Sequence, residues 1–358
     1  MDMQKFSQLL NKVINKGDLS EEECFEFMKF LLDGKGEKAN DVTFGALFAA
    51  LQTKGPTLNE VTGLMRAVLE YDRKPIKFKT KEKLCGIVGS GKDDLKTFNV
   101  STCSAIVASG AGVTVIKNGS RADTSVAGTT DVLEELGVNV LAKANIMKRC
   151  LLKNKLGFFD AQSYFPKMNS KYVGKFHFFN PITFALSIAS GIDFKRIVFG
   201  LANKNTEFTV NILKRLNFDH SLVVHGMNKE ENLCMDEISV LGRTKISELK
   251  KGEVSTYYIS PTDFGIKFYS YKDIAQGKTK RENAKILADI ISGKESGGKR
   301  DIILLNAGAL IYISDKVQTI REGIELAKES IDSGNALKKL EGLIKYSDGN
   351  ILKLNKYL

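Results

Sequence analysis

The sequence predicts an α/β protein. A small N-terminal helical domain covers residues 1–74, and residues 75–358 form a larger domain with a mostly parallel β-sheet covered by helices. Three observations carry this. Apolar residues recur at helical spacing through residues 1–72. From Leu84 onward, short apolar runs alternate with helical patterns, as crossover-connected parallel strands require. Finally, the stretch 85–137 repeats one device twice: an apolar run feeds a polar, Gly-bearing loop that opens into a helix.

In the helical domain, the segments 3–16, 20–33, 40–53 and 59–71 each keep the 3.6-residue period. Ser20 with Glu23, and Thr57 with Glu60, have capping-box spacing and predict helix starts. Gly34-Lys35-Gly36 and Gly55-Pro56 separate the helices. No residue set in this lobe suggests chemistry, so packing and subunit contact are its expected roles. In the larger domain, strands are predicted at 84–88, 113–116, 197–201, 221–224, 256–259 and 301–305. Helices are predicted at 103–110, 130–136, 279–292 and 316–332.

With 358 residues, 43% hydrophobic and 27% charged, the chain can build a sizeable core. No apolar run reaches the length of a membrane span, and MDMQKFSQLL lacks a signal-peptide pattern. The cysteines, at 24, 85, 103, 150 and 234, are odd in number and form no Cys-x-x-Cys pair. That usage suits reduced thiols in a cytoplasmic protein. A net charge of +11 fits either a nucleic-acid binder or a basic surface around a site for anions. Lysines spread along the whole chain favour a generally basic surface over a nucleic-acid stripe.

The two repeated loops hold the chemistry. The first is Gly89-Ser90-Gly91-Lys92-Asp93-Asp94, followed by Thr97 and by Asn99-Val100-Ser101-Thr102 at a helix start. The second is Lys117-Asn118-Gly119-Ser120-Arg121, followed by Thr124-Ser125 and Thr129. Helix N-termini favour anions, and glycines let the backbone approach them, so the pair describes a site for a ligand with several phosphates. Simple helix capping is the bland alternative for Asn99–Thr102. Gly86, Gly91 and Lys92 also fit most of a P-loop, but Asp93 stands where that motif needs Ser or Thr. A third loop, His225-Gly226 and then Asp236-Glu237, offers adjacent carboxylates to a hard cation such as Mg²⁺.

In this order and spacing the stretch resembles the anthranilate phosphoribosyltransferases. That family shows Gly-Thr-Gly-Gly-Asp-Gly, Thr-x-Asn-x-Ser-Thr and Lys-His-Gly-Asn-Arg, and the match here runs without a gap. Ile302-Ile303-Leu304-Leu305-Asn306-Ala307-Gly308-Ala309 also has a family counterpart. The resemblance implies a phosphoribosyltransferase using 5-phosphoribosyl 1-pyrophosphate and two Mg²⁺ ions, with an aromatic amine, anthranilate by default, as acceptor. It implies donor contacts from Gly89, Ser90, Gly91, Lys92, Asp93, Thr97, Asn99, Ser101, Thr102, Lys117, Asn118, Gly119, Ser120, Arg121, Thr124, Ser125 and Thr129. Asp93, Lys117 and Arg121 would act on the reacting groups, and Ser101, Asp236 and Glu237 would hold the metal. The helical lobe is the family's dimerisation surface, so a homodimer is expected.

The sequence departs from the family at Lys92, Asp94, Asn118 and Ser120. Phe165-Pro166-Lys167-Met168 replaces His-Pro-Ala-Met, and the shortened segment 169–177 lacks the Arg that pairs with the anthranilate carboxylate. Lys167, Lys171 and Lys175 are the cations left to meet an acidic acceptor. Another aromatic or heterocyclic acceptor, and a non-catalytic nucleic-acid-binding relative, are the alternative readings.

Overall fold

The computed structural model describes residues 1–33, 41–91, 93–122, 126–172, 188 and 190–358. The loop 34–36, Lys92, Thr124, Ser125, Lys175 and Phe179-Asn180, and the side chain of Lys171, lie outside what is described.

The N-terminal lobe is four helices, α1 (Met3–Ile14), α2 (Glu21–Asp33), α3 (Asp41–Lys54) and α4 (Leu58–Tyr71), packed around buried Phe27, Phe44, Phe48 and Leu64. Both expected capping boxes form. Glu23 N donates to Ser20 Oγ at 3.1 Å, Ser20 N donates to Glu23 Oε2 at 2.8 Å, and Thr57 and Glu60 repeat the exchange at α4. Glu60 does more than cap. Its carboxylate, fully buried, accepts from Leu19 N at 2.9 Å, Thr57 N at 2.7 Å and Lys54 Nζ at 2.9 Å, tying three segments of the lobe together.

The larger domain is one mixed sheet. Its strands are β1 (Leu84–Gly89), β2 (Thr114–Gly119), β3 (Leu156–Asp160), β4 (Arg196–Gly200), β5 (His220–Met227), β6 (Cys234–Met235), β7 (Thr244–Lys250) and β8 (Glu253–Ile259). The spatial order is β3-β2-β1-β4-β5-β7-β8, with β6 paired to β5. Strands β3 to β5 run parallel along that order, and β7 and β8 continue antiparallel. Among the described residues the helices, in chain order, are α5 (Val100–Gly110), α6 (Thr129–Glu135), α7 (Ala144–Asn154), α8 (Ala161–Tyr164), α9 (Pro166–Tyr172), α10 (Thr206–Arg215), α11 (Lys280–Ile291), α12 (Gly298–Ile313), α13 (Ile320–Asp332), α14 (Asn335–Tyr346) and α15 (Ile351–Leu354).

Three sequence expectations change here. Residues 301–305, expected as a strand, lie inside α12. That helix is buried on every side from Ile302 to Ile313, so its apolar residues form an unbroken run, and such a run reads the same in a buried strand. Strand β3 was not expected, although all five of its residues are buried. Strand β7 was also missed, because both of its faces are buried and carry polar residues, Ser247 on one and Glu248 on the other, which hides the strand pattern.

The chain order matters for the site. From β1 the parallel strands run one way to β2 and β3 and the other way to β4 and β5. The crevice above the carboxyl ends of β1 and β4 is therefore the topological switch point, where open α/β sheets bind ligands. In the helical lobe, Glu60→Ala would leave the Leu19 and Thr57 amides without their carboxylate acceptor and Lys54 with Asp18 as its remaining carboxylate. We expect a destabilisation of about 3 kcal/mol, read as roughly hundredfold faster hydrogen exchange at the Leu19 amide.

Candidate active site

Glycines at the ends of the central strands make room for the acidic turn. Gly89 of β1 lies opposite Gly200 of β4. A Cβ at Gly200 would fall 1.5 Å from the Asp236 carbonyl oxygen, and one at Gly89 would fall 2.5 Å from the Asp236 carboxylate. One at Gly226 would fall 2.3 Å from the Glu237 carbonyl oxygen. Asp236 is thus seated over the switch point, and only glycine leaves space beneath it.

The first loop closes around this turn. Ser90 N donates to Gly200 O at 3.0 Å, and Gly91 N donates to Asp236 Oδ2. Thr97 Oγ1 donates to Glu237 Oε1 at 3.0 Å. Asp94 N and Leu95 N both donate to Cys234 O, at 3.1 and 3.0 Å, and Cys234 N returns a bond to Asp94 Oδ2 at 3.0 Å. Oxygens of Asp93, Asp236 and Glu237 come within 4.8 Å of one another. The expected metal pair thereby gains a third carboxylate, Asp93, whose Oδ1 accepts from Lys96 Nζ at 2.9 Å.

The electrostatics of this cluster are those of anions without enough cation. Burial pushes the Asp236 carboxyl up to about 7, and the Asp93 charge adds to it. Burial, then Asp236 and Asp93, raises Glu237 well above the usual carboxylate range. Burial also raises Asp93, against the pull of Lys96. Glu237 Oε2 is buried and, among the described residues, accepts no hydrogen bond. Three clustered carboxylates with an orphaned oxygen fit a hard divalent cation, which prefers oxygen ligands.

The second loop sits beside the first. Thr129, the first residue of α6, packs against Gly119, where a Cβ would meet its side chain at 2.6 Å. Thr129 Oγ1 also lies 3.1 Å from Thr102 Oγ1, linking the two repeated loops. Asn99 Nδ2 donates to Ala127 O at 3.1 Å, and Ser120 O accepts from Thr130 N at 3.2 Å. Asn118 is buried. Ser101 is half-buried in the first turn of α5.

The two expected cations are placed differently from one another. Lys117 is buried, its Nζ donates to Asn118 O at 2.5 Å, and burial lowers its pKa to about 7 against the attraction of Asp236. Arg121 is exposed and paired with Asp131 at 3.1 Å and Glu134 at 3.0 Å, on α6. Sequence reasoning gave Asp93 to the donor or its hydrated metal but did not group it with Asp236 and Glu237, since the two segments are far apart in the chain.

Residues 81–337 match the family described as "Glycosyl transferase family, a/b domain", and residues 7–71 match "Glycosyl transferase family, helical bundle domain". The anthranilate phosphoribosyltransferase of Alkaliphilus metalliredigens is 36% identical over 355 residues, covering 95% of this chain and 98% of that protein. The chain belongs to the anthranilate phosphoribosyltransferase family. The family enzyme of Acetivibrio thermocellus is 36% identical, with 96% of each chain covered. The solved anthranilate phosphoribosyltransferase of Thermus thermophilus superposes with a TM-score of 0.84 at 29% identity, covering 95% of this chain and 99% of its own. Among solved structures, that of Saccharomyces cerevisiae in complex with PRPP and Mg shares the fold at a TM-score of 0.82 and 24% identity, covering 97% and 99%. Among the described residues, no helix is long and apolar enough to cross a membrane.

The raised carboxyls give a pH dependence with a definite sign. The folded protein holds the Asp236 proton more firmly than the unfolded chain, so stability is present below the unfolded value of 3.8 and is lost as pH rises toward about 7. In magnesium-free protein, Asp236→Asn should raise the melting temperature at pH 8 and leave it unchanged at pH 4. Scanning calorimetry reads both; an unchanged or lower value at pH 8 would contradict the clustered-anion reading.

Proposed function

We infer that the protein transfers the phosphoribosyl group of 5-phosphoribosyl 1-pyrophosphate to the amine of anthranilate and releases pyrophosphate, as a pentosyltransferase. The observation that carries this is the cluster of Asp93, Asp236 and Glu237 beneath a glycine loop at the switch point, in a chain of this family. A donor bearing pyrophosphate and a 5-phosphate needs both a cation site and a set of amide donors, and the two repeated loops supply them side by side.

Asp93, Asp236 and Glu237 would hold magnesium, with Ser101 as ligand to a second ion. When bound, magnesium offsets negative charge on the leaving pyrophosphate. The Gly91 amide, which donates to Asp236, would turn to a phosphate oxygen when that carboxylate holds a cation, with Gly89 and Ser90 bordering the donor. Thr97, Asn99, Thr102, Ser120 and Thr129 would orient the donor by hydroxyl and amide contacts. Lys117 and Arg121 supply positive charge, Arg121 by exchanging its two carboxylate partners for phosphate. An aromatic amine is neutral at physiological pH, so attack on the anomeric carbon requires no strong base. The protein's task is to orient the pair and to exclude water from an activated donor.

Further parts of this reading concern the whole molecule. The helical lobe, to about residue 74, would form a homodimer, a role supported by exposed Ile14 and Val42 on α1 and α3. The odd, scattered and unpaired cysteines support a cytoplasmic enzyme. A second acceptor class is favoured by one specific observation. Phe165 and Lys167 stand where the family has His and Ala, Phe165 is fully buried, and the Lys167 amide is committed to Asp72 Oδ1 at 2.9 Å. The family's carboxylate-pairing Arg is missing from the segment that follows.

Two measurements test the reading. Pyrophosphate release with donor, Mg²⁺ and anthranilate should be abolished by the Asp236→Ala, Glu237→Ala double variant, along with most Mg²⁺-dependent donor affinity in calorimetry. Unchanged donor affinity in that variant would refute the metal assignment. Losing the Arg–carboxylate bond, about 1.5–3 kcal/mol, should raise the KM for anthranilate roughly ten- to a hundredfold over that of relatives carrying the Arg. Turnover with another amine but none with anthranilate would select the second acceptor class.

A further inference from the structure

The family-like run in α12 contributes a residue to the site that the mechanism above does not use. Asn306 is buried, 1% exposed, and its side-chain amide faces the backbone of Ile238, the residue after Glu237. Oδ1 accepts from Ile238 N at 2.9 Å, and Nδ2 donates to Ile238 O at 3.0 Å. The second Nδ2 hydrogen goes to Ile302 O, one turn back in the same helix, at 2.8 Å. The orientation is forced, because the flipped amide would set N–H against N–H and oxygen against oxygen.

One side chain thus grips both polar groups of a single peptide residue, and the bond to Ile302 fixes its rotamer. Ile238 is itself fully packed, and the next residue is held as well, with Ser239 N donating to Thr244 Oγ1 at 2.9 Å. The turn carrying Asp236 and Glu237 is therefore anchored from outside its own loop. That anchoring opposes a real force, since three clustered carboxylates repel one another and would swing apart if their backbone could move.

We propose that Asn306 is a positioning residue: its amide holds the Asp236–Glu237 turn in the arrangement that binds a divalent cation, before any donor arrives. The proposal rests on the reading of Asp93, Asp236 and Glu237 as a magnesium site. Residues that orient ligands without touching the metal commonly change affinity by about ten- to a hundredfold.

The test measures Mn²⁺ as the probe, by the paramagnetic resonance of the free ion, with neither donor nor acceptor present. Asn306→Ala and the similarly branched Asn306→Leu should each weaken Mn²⁺ binding about tenfold and raise the donor KM at fixed Mg²⁺ with a smaller change in kcat. Wild-type Mn²⁺ affinity in Asn306→Leu would overturn the proposal, because it would leave packing as the residue's only role. Should neither variant fold, the wild type decides. Its Ile238 amide should exchange on the order of a hundredfold more slowly than an exposed amide without metal, and fast exchange there would overturn the clamp. A wild type that turns over donor yet takes up no Mn²⁺ overturns the proposal while sparing the transferase reading. A wild type that does neither removes the reading and the proposal together.

Discussion

The structure depends on keeping like charges close together at the carboxyl ends of its central strands. Asp236 and Glu237 are both buried, Asp93 stands beside them, and among the described residues no arginine or lysine bonds to either buried member. Such an arrangement costs stability in the absence of a cation, and the surrounding chain is built to impose it. Gly89, Gly200 and Gly226 remove the side chains that would exclude the turn. The Gly91 amide and the Thr97 hydroxyl give the carboxylates partial compensation.

The opposite ends of the same strands are arranged in the opposite way. Arg196, at the start of β4, bonds Asp219, Asp315 and the Ile313 carbonyl. His220, at the start of β5, places Nε2 2.9 Å from Glu248 and Nδ1 3.3 Å from Asp315. Glu248 also accepts from the hydroxyls of Tyr257 at 2.9 Å and Tyr312 at 2.7 Å, and these partners outweigh burial and hold its carboxyl below the ordinary value. At these amino-terminal ends Arg196 meets two carboxylates, whereas at the carboxyl ends three carboxylates meet one another.

Helix α12 connects the two edges. Its carboxyl end places Tyr312 on Glu248, and its middle places Asn306 on Ile238. A helix buried all round can bridge in this way because each of its faces meets a different layer. The apolar run that makes it unreadable as a helix in the sequence is the same property that lets it span the core.

The sequence by itself determined the four helices of the N-terminal lobe, the caps at Ser20 and Thr57, most of the parallel strands and the two phosphate-type loops. Each of these is a local pattern: a period, a cap three residues from its partner, a glycine loop after an apolar run. The family resemblance was equally legible, since the motif residues lie in continuous stretches. What only the tertiary structure decided is which of those residues meet. It brought Asp93 to Asp236 and Glu237, turned Arg121 toward Asp131 and Glu134, buried Lys117, and converted the expected strand at 301–305 into the helix that holds the acidic turn. Periodicity specifies which face of an element is apolar. It says nothing about which distant chain segment will cover that face, and a charge cluster exists only once the segments have packed.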